Sequence, residues 1–267
     1  MIKMEFAIGF EKFFEKHGLR SFDDFFQHLG GEVINQNKKR SVLTFTLDDD
    51  GGQRRFFVKR FDSPHYKDML FTFRNFGYIC SQGRCEWNNA NLLLENGVDT
   101  YHPACYGEEL VCGIEKRSIF VTEEIKGVCL TDFIGEKWSG LERVEKERIA
   151  ISLGKTARKI HDAKISMPDM YVWHFFIKDE KTETDEYEFA VIDLHRMSVN
   201  VKNKKLQYKN LGALDYSLLD EYFDIDLKDL LLNAYMGGDP PENAASLKRK
   251  VKARSDVLAA RRRKPNY

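Results

Sequence analysis

The stretch P-D-M-Y-V-W-H-F-F-I, from Pro168 to Ile177, places an aspartate and a histidine inside a run of aromatic and aliphatic residues. A second run, Y-E-F-A-V-I-D-L from 187 to 194, contains another aspartate, Asp193, directly after four apolar residues. The charged segment 178–186 between the two runs predicts a turn, so we expect a β-hairpin here. A carboxylate that ends a buried strand is costly unless it meets a cation, a metal ion or several hydrogen-bond donors. The hairpin is therefore a candidate functional site.

The chain before this hairpin has both helical and strand-like patterns. Residues 5–30 space their phenylalanines as a helix does, whereas residues 62–82 have no regular pattern. Val42–Leu47 and Phe56–Phe61 are β-prone, and the turn sequence D-D-D-G-G between them predicts a first hairpin. The other predicted elements in this part are a helix at 84–97 and two strands within 98–125.

The chain after residue 140 is mainly helical by the same criterion. Predicted helices at 141–163 and within 211–262 flank the polar hairpin. Because a strand-rich first half precedes a helix-rich second half, we expect an α+β fold.

The composition excludes several classes of protein. Hydrophobic residues make up 42% of the 267 residues and aromatic residues 13%, which favours a packed core over disorder. The N-terminus does not resemble a signal peptide, and no apolar stretch reaches the ~18 residues that a membrane-spanning helix needs. The five cysteines form no C-x-x-C pair. We therefore expect reduced thiols in a cytoplasmic protein, without disulfides or a zinc site.

Charge is balanced overall, with 42 basic and 42 acidic residues, but it is uneven along the chain. Residues 247–267 contain nine lysines and arginines and one acid, Asp256, which gives a net charge of +8. This basic tail suits the acidic inner face of a membrane, where each basic residue gains roughly 1 kcal/mol. The alternatives are an exposed helix, a frayed chain end or nonspecific polyanion binding. No nucleic-acid-binding module is recognisable, so nucleic acid is not a predicted partner.

Polar residues occur along the chain in the order that phosphoryl transfer uses. They are a strand lysine, a helix glutamate, a loop aspartate with a polar residue five positions later, and a strand-end aspartate: Lys59, Glu86, Asp169 with His174, and Asp193. In such enzymes the lysine holds ATP phosphates, the glutamate pairs with the lysine, and the loop aspartate accepts the proton of the acceptor hydroxyl. The last two positions hold Mg²⁺. Taken singly, Lys59 and Glu86 are each more typical of an exposed surface position than of a functional site.

Two motifs make the comparison specific: K-I-H-D-A-K-I-S-M-P-D-M-Y-V-W-H-F-F-I (159–177) and V-I-D-L-H-R (191–196). They resemble the lipopolysaccharide core heptose kinases, the Kdo/WaaP kinase family. The resemblance continues in order through G-E-V-I-N-Q-N-K-K-R (31–40), F-F-V-K-R-F (56–61), E-W-N-N-A-N (86–91) and V-T-E-E-I (121–125). Each motif alone is weak, but their collinear order from about Gly31 to Val199 is a strong signal.

The resemblance implies a protein-kinase-like fold with two lobes. Residues 1–125 would form a β-rich, nucleotide-binding lobe preceded by N-terminal helices, and residues 126–267 a helical lobe with the catalytic loop, metal site and acceptor side. The implied cofactors are ATP and Mg²⁺. The implied acceptor is a heptose of the lipid A–core oligosaccharide, met at the cytoplasmic face of the inner membrane. The implied site residues are Asp169 for catalysis, Asp193 and His174 for the metal ion, and Lys59, Glu86, Glu123 and Ile125 for the cofactor.

Two features depart from the family pattern. Met167-Pro168 stand where the family has His-Arg, and the phosphate-binding loop is reduced to Gly30-Gly31 with the basic run 38–40. These departures leave two alternatives to a heptose kinase open. One is a kinase that acts on Kdo or on a soluble hydroxylated small molecule, and the other is a pseudokinase that binds nucleotide without transferring phosphate.

Overall fold

A computed structural model of the protein describes residues 1–64, 66–178, 186–237 and 241–267. The chain divides into two compact units. The first unit contains residues 1–92 and 101–125, and the second contains residues 93–100 and 126–267. The C-terminal unit therefore includes a short segment that precedes the last strands of the first unit in sequence.

The described residues form ten β-strands. They are β1 Ile2–Phe6, β2 Glu32–Gln36, β3 Arg40–Asp49, β4 Gly52–Asp62, β5 Asp99–Thr100, β6 Pro103–Val111, β7 Ile114–Glu123, β8 Val128–Cys129, β9 Phe175–Ile177 and β10 Phe189–Val191. Eight α-helices are described as well. They are α1 Phe10–Lys16, α2 Tyr66–Phe76, α3 Gln82–Glu95, α4 Leu130–Lys137, α5 Arg143–Asp162, α6 Lys204–Ser217, α7 Ile225–Met236 and α8 Pro241–Ala259.

Each unit contains one sheet. The first has six strands in the order β1-β6-β7-β4-β3-β2, and all its neighbouring pairs are antiparallel. The second has four short strands in the order β5-β10-β9-β8. In this sheet β5 pairs with β10 in parallel, which explains why residues 93–100 belong to the C-terminal unit. The other two pairs are antiparallel. The predicted α+β fold class is confirmed.

The first predicted hairpin is present as β3 and β4, which pair from Arg40↔Phe61 to Asp49↔Gly52. Gly52 has φ of 134°, a conformation that a side chain would disfavour, so the D-D-D-G-G sequence suits this turn. Along β4, Phe56 and Val58 are fully buried on one face of the sheet. Because side chains alternate along a strand, Lys59 projects from the opposite face.

The N-terminal residues differ from the prediction. Residues 2–6 form an edge strand paired with β6, whereas helical spacing and N-terminal helices were predicted from residue 5 onward. The strand forms because β6 offers it an unpaired backbone edge, while Met4 and Phe6 pack against the aromatic core. The phenylalanine spacing does describe the residues after β1, since α1 and the short π-helical turn Asp24–His28 bury Phe14 and Phe25 completely.

The segment 62–82, for which no regular structure was predicted, contains α2. The apolar residues of this helix, at 66, 69, 70, 73 and 76, do have helical spacing, so the sequence contained a signal that the prediction missed. The helix buries Met69 and Thr72 but leaves Leu70 and Phe73 exposed. The predicted helix at 84–97 is confirmed as α3, which begins where the Ser81 hydroxyl accepts a hydrogen bond from the Arg84 amide at 3.2 Å.

The second predicted hairpin is also present, as the antiparallel pair β9 and β10 with Phe175 opposite Val191. The first half of the predicted strand is instead a single 3₁₀ turn, Val172–His174. Residues 179–185 of the predicted connecting turn lie outside the described residues. The remaining predicted helices are confirmed as α5, α6, α7 and α8.

Within the described ranges, no helix has the length and apolar character needed to span a bilayer.

A buried polar network holds the chain just before Asp169. The Asn210 Oδ1 atom on α6 accepts hydrogen bonds from the Met167 amide and the Ser166 hydroxyl, both at 3.0 Å. His161 on α5 contacts the same oxygen through Nε2 at 3.2 Å and the Tyr235 hydroxyl through Nδ1 at 2.9 Å. Burial lowers the pKa of His161 from 6.5 to about 4, so the imidazole is neutral in the folded protein.

This pKa predicts a pH-dependent stability. Because the unfolded chain binds the proton more strongly, the free energy of unfolding should fall as the pH decreases from about 6.5 towards about 4, by up to roughly 3 kcal/mol. Above about pH 6.5, titration of His161 should no longer change the free energy of unfolding. Urea unfolding at about pH 7 and about pH 4.5 measures the difference. His161→Gln should lose less stability over the interval than the wild type. An exposed control, His28→Gln, should match the wild type, and an equal loss in all three proteins would contradict the prediction.

Candidate active site

The first unit pairs two of the predicted site residues. The Lys59 ammonium on β4 forms an ion pair with Oε2 of Glu86 on α3. The Tyr101 hydroxyl donates to the same carboxylate oxygen at 2.9 Å, and the Lys59 nitrogen lies 4.8 Å from the centre of the Tyr101 ring. The side chain of Glu86 is 1% exposed and that of Lys59 is 12% exposed. Neither residue is therefore a solvated surface charge.

The electrostatics of this pair keep Glu86 ionised. Burial alone would raise the pKa of Glu86, but the charges of Lys59 and Arg40 and the hydrogen bonds from Lys59 and Tyr101 outweigh it. The net effect lowers the pKa below its ordinary value. The other carboxylate oxygen of Glu86, Oε1, is buried without a hydrogen-bond partner among the described residues. A charged lysine fixed in this way has the chemistry to contact phosphate oxygens.

Glu123 and Ile125, which were predicted to bind the cofactor, lie at the end of the first unit. Glu123 is the last residue of β7, where its carboxylate accepts two hydrogen bonds from Arg54, at 2.8 and 2.5 Å. The Glu123 amide donates to the His102 carbonyl at 3.0 Å. Ile125 is half-buried and is the last residue of the unit. The Glu123 side chain and amide are therefore already bonded within the first unit.

The second unit brings together Asp169, His174 and Asp193. His174 ends the 3₁₀ turn before β9, and its Nδ1 lies 2.7 Å from the Asp169 carbonyl oxygen. Its Nε2 lies 3.6 Å from Oδ2 of Asp193, which follows β10. Asp193 has φ of 63° and ψ of 61°, a left-handed conformation that few residues other than glycine adopt. Such strain at a polar cluster is typical of a functional site.

The 3₁₀ turn Leu194–Arg196 supplies a partner to each of the two acids. Arg196 binds both carboxylate oxygens of Asp169, with its Nε 2.5 Å from Oδ2 and its Nη2 in contact with Oδ1. His195 places Nδ1 at 2.5 Å from Oδ1 of Asp193. Sequence reasoning assigned no separate role to His195 or Arg196. Their place in the sequence did indicate a functional role, since both follow Asp193 at the end of an apolar run.

The departure at Met167-Pro168 leaves Asp169 with a cation. Met167 is buried and carries no charge. The guanidinium beside Asp169 is that of Arg196, 27 positions later in the chain and within the V-I-D-L-H-R motif that follows the family pattern. Each carboxylate oxygen has two lone-pair directions, so the ion pair leaves Asp169 able to accept a further proton donor.

The donor set of the second unit fits a magnesium ion shared with phosphate oxygens. Since the Asp169 carbonyl can only accept, the Nδ1 of His174 donates to it, which leaves Nε2, the nitrogen that faces Asp193, as the one that would bind a metal ion. In metal-binding histidines, the ring nitrogen that does not bind the metal commonly donates a hydrogen bond to a backbone carbonyl or a carboxylate. Within the described ranges no cluster of three or more metal-ligand side chains occurs. Magnesium commonly uses only one or two carboxylates and completes its shell with water and substrate phosphates.

Comparison with known proteins identifies the family. Residues 24–235 match the model described as the lipopolysaccharide kinase (Kdo/WaaP) family. The chain belongs to the lipopolysaccharide kinase (Kdo/WaaP) family. It is also similar to two proteins named lipopolysaccharide core heptose(I) kinase WaaP. The Escherichia coli (strain K12) protein is 26% identical over 196 residues, and the Pseudomonas aeruginosa protein is 30% identical over 198 residues. Each alignment covers 72% of this chain and 72% of the relative.

A solved structure supports the fold assignment of this lipopolysaccharide kinase. The structure titled "WaaP in complex with acyl carrier protein" matches with a TM-score of 0.72 and covers 96% of this chain and 99% of that chain. At 23% sequence identity this likeness establishes the fold alone. The predicted family and the predicted kinase-like fold are confirmed. As a lipopolysaccharide kinase, the protein is a phosphotransferase with an alcohol acceptor, and ATP is the donor that kinases use.

The contact between Arg196 and Asp169 predicts a defect in turnover. Arg196→Ala removes both hydrogen bonds from a nearly buried carboxylate, so we expect kcat to fall by roughly 10- to 100-fold, with nucleotide affinity unchanged. Arg196→Lys should recover only part of kcat, because an ammonium cannot form the two parallel bonds. Steady-state kinetics and nucleotide titration measure both effects. The exposed Lys202→Ala serves as a matched loss of charge, and an Arg196→Ala enzyme with the turnover of that control would contradict this assignment.

Proposed function

We propose that this protein transfers the γ-phosphoryl group of ATP to a heptose hydroxyl of the lipopolysaccharide inner core. The choice of a heptose acceptor rests on the 30% identity to a protein named lipopolysaccharide core heptose(I) kinase, over 72% of both chains. The geometry of the second unit supports it, because Asp169, His174, Asp193 and Arg196 lie together with the types of group that phosphoryl transfer requires.

Asp169 is the proposed catalytic base in this reaction. Its carboxylate would orient the acceptor hydroxyl and take its proton as the new phosphate ester bond forms. Arg196 holds both carboxylate oxygens and therefore fixes the direction of the remaining lone pairs. This arrangement requires little reorganisation at the moment of transfer.

The remaining proposed roles concern the charge of the nucleotide. Lys59, held by Glu86, would bind phosphate oxygens, and Glu123 and Ile125 would contact the nucleotide. Asp193, with His174, would hold Mg²⁺, which supplies charge neutralisation of the transferred group when bound. In this proposal residues 1–125 form the nucleotide-binding lobe and residues 126–267 the catalytic and acceptor lobe. The lipid A–core acceptor would be met at the cytoplasmic face of the inner membrane.

A Kdo acceptor is the second candidate, because the matching family description names Kdo kinases beside the WaaP group. The acceptor class is decided by incubating the purified protein and γ-labelled ATP with three substrates in parallel. These are core lipopolysaccharide, lipid A that carries only Kdo, and soluble sugars. We expect label in the heptose-containing acceptor alone. Label in the Kdo acceptor or in a soluble sugar would replace the heptose proposal, and label in none would favour a pseudokinase.

The residue roles are tested with two variants. Asp169→Asn should lower phosphoryl transfer by about 1,000-fold or more while nucleotide affinity survives, because the lost group acts on the acceptor proton. Asp193→Ala should remove the dependence of nucleotide affinity on Mg²⁺, which titrations with and without the metal ion measure. Wild-type turnover in Asp169→Asn, or an unchanged Mg²⁺ effect in Asp193→Ala, would remove that residue from its proposed role.

A further inference from the structure

The basic tail does not end as a frayed helix. After α8 the chain folds back onto α6 and the loop after that helix. The Tyr216 hydroxyl donates to the Arg263 carbonyl at 2.5 Å, and the Tyr267 hydroxyl donates to the Ser217 carbonyl at 2.6 Å. The Leu219 amide donates in turn to the Tyr267 hydroxyl at 3.2 Å. These contacts fix the positions of the arginines carried by the last residues of the chain.

One of these arginines lies against the loop of Asp169. The Arg262 guanidinium is 5.2 Å from the centre of the Tyr171 ring, and Tyr171 is two residues after Asp169. The Tyr171 ring stacks on Trp173 with their centroids 4.7 Å apart and their planes inclined by 10°. The Tyr171 amide donates to the Asp169 carbonyl at 2.8 Å. An exposed guanidinium is therefore stacked on an aromatic pair within the proposed catalytic loop.

A second arginine is placed by close packing of two helices. A Cβ at Gly212 of α6 would lie only 2.5 Å from Cγ and 2.6 Å from Cβ of Arg254 on α8. The absence of a side chain at Gly212 thus gives the Arg254 stem its position. The Nε atom of Arg254 is buried and has no hydrogen-bond partner among the described residues. Leaving such a donor unpaired is costly, so Arg254 would gain from an anion that bonds its guanidinium.

The charges of these groups converge on Tyr171. Burial raises the pKa of the Tyr171 phenol, Arg262, Arg254 and Arg196 act against that rise, and Asp169 acts with it. All four charged side chains therefore lie close enough to influence one hydroxyl. Because Arg196 is already bonded to Asp169, the positive charge that remains for a ligand is that of Arg254 and Arg262. Tyr171 itself packs with Ala213, Tyr216 and Leu258 in one buried apolar cluster, and Leu258 lies one helical turn after Arg254 on α8.

We propose that Arg254 and Arg262 form an anion subsite beside Asp169 that binds a carboxylate or phosphate group of the acceptor saccharide. The guanidinium fork matches both groups with two parallel hydrogen bonds, which a point charge cannot do. This inference rests on the proposed saccharide kinase activity. It adds that Arg254 and Arg262 recognise the acceptor of that reaction. The subsite would hold the anionic sugar residue while a neighbouring hydroxyl faces Asp169.

The test uses the full-length protein and core oligosaccharide released from lipid A of cells that lack this protein, so that no lipid surface is present. Arg262→Ala and Arg254→Lys should each raise the acceptor KM by about 10- to 100-fold, with kcat and nucleotide affinity little changed. Arg254→Lys keeps the charge and the stem packed on Gly212 but loses the planar fork. Arg261→Ala removes an equal charge from the next position and should leave the acceptor KM unchanged.

Chemically altered acceptors identify the anion with the wild-type protein alone, independently of how any variant folds. Reduction of the acceptor carboxylates to alcohols, or removal of its phosphates, should raise the wild-type KM to the level of the variants. The treatment that does so names the group. Equal KM values for Arg262→Ala and Arg261→Ala would overturn the proposal, as would a wild-type KM that neither treatment changes. A loss of nucleotide affinity in place of acceptor affinity would also overturn it.

Binding of the same oligosaccharide, measured by calorimetry, separates this inference from the proposed function. Binding that depends on Arg262 without phosphate transfer by the wild type would contradict the kinase proposal and support the subsite. Transfer by the wild type that Arg262→Ala and Arg254→Lys leave unchanged would contradict the subsite and support the kinase proposal.

Discussion

The geometry of the candidate active site in the second unit depends on the ion pair between Arg196 and Asp169. A carboxylate that is only 9% exposed needs a cation, and Arg196 supplies one through two parallel bonds. That contact requires the chain after β10 to turn sharply, which the left-handed conformation of Asp193 provides. The strain at Asp193 and the pairing at Asp169 are therefore two consequences of one short segment. The same segment places His195 against the Asp193 carboxylate, which His174 approaches from the 3₁₀ turn before β9.

Elements distant in sequence hold this arrangement in place. Asn210 on α6 and His161 on α5 hold the residues before Asp169, and burial keeps the pKa of His161 low. On the other side, the close packing of α8 on Gly212 carries arginines towards Tyr171. The helices of the second unit thus act mainly by holding the residues of the candidate site in place. Such a role for the helices is expected in phosphoryl transfer, where positioning of the reacting groups and stabilisation of charge contribute most of the catalysis.

The sequence predicted those features that depend on local pattern or on motif order. Both hairpins have turn signals between β-prone runs, and the pairing of Lys59 with Glu86 was expected from the order of the motifs. The contact of Arg196 with Asp169 and the place of Arg262 could not be predicted, because they depend on how distant segments pack. Strand β1 was missed for a related reason, since its partner β6 lies about a hundred residues away in the chain. The roles of the site residues towards ATP, Mg²⁺ and the acceptor stay predictions.

The central claim is that this protein adds a phosphate to the lipopolysaccharide core. Mass spectrometry of core oligosaccharide from cells lacking the protein tests it most directly, with cells that express the wild type or Asp169→Asn from a plasmid as controls. We expect the core of the lacking cells to be lighter by the mass of one phosphate group, with the phosphate restored on heptose by the wild type and not by the variant. A core of unchanged mass in the lacking cells would contradict the account.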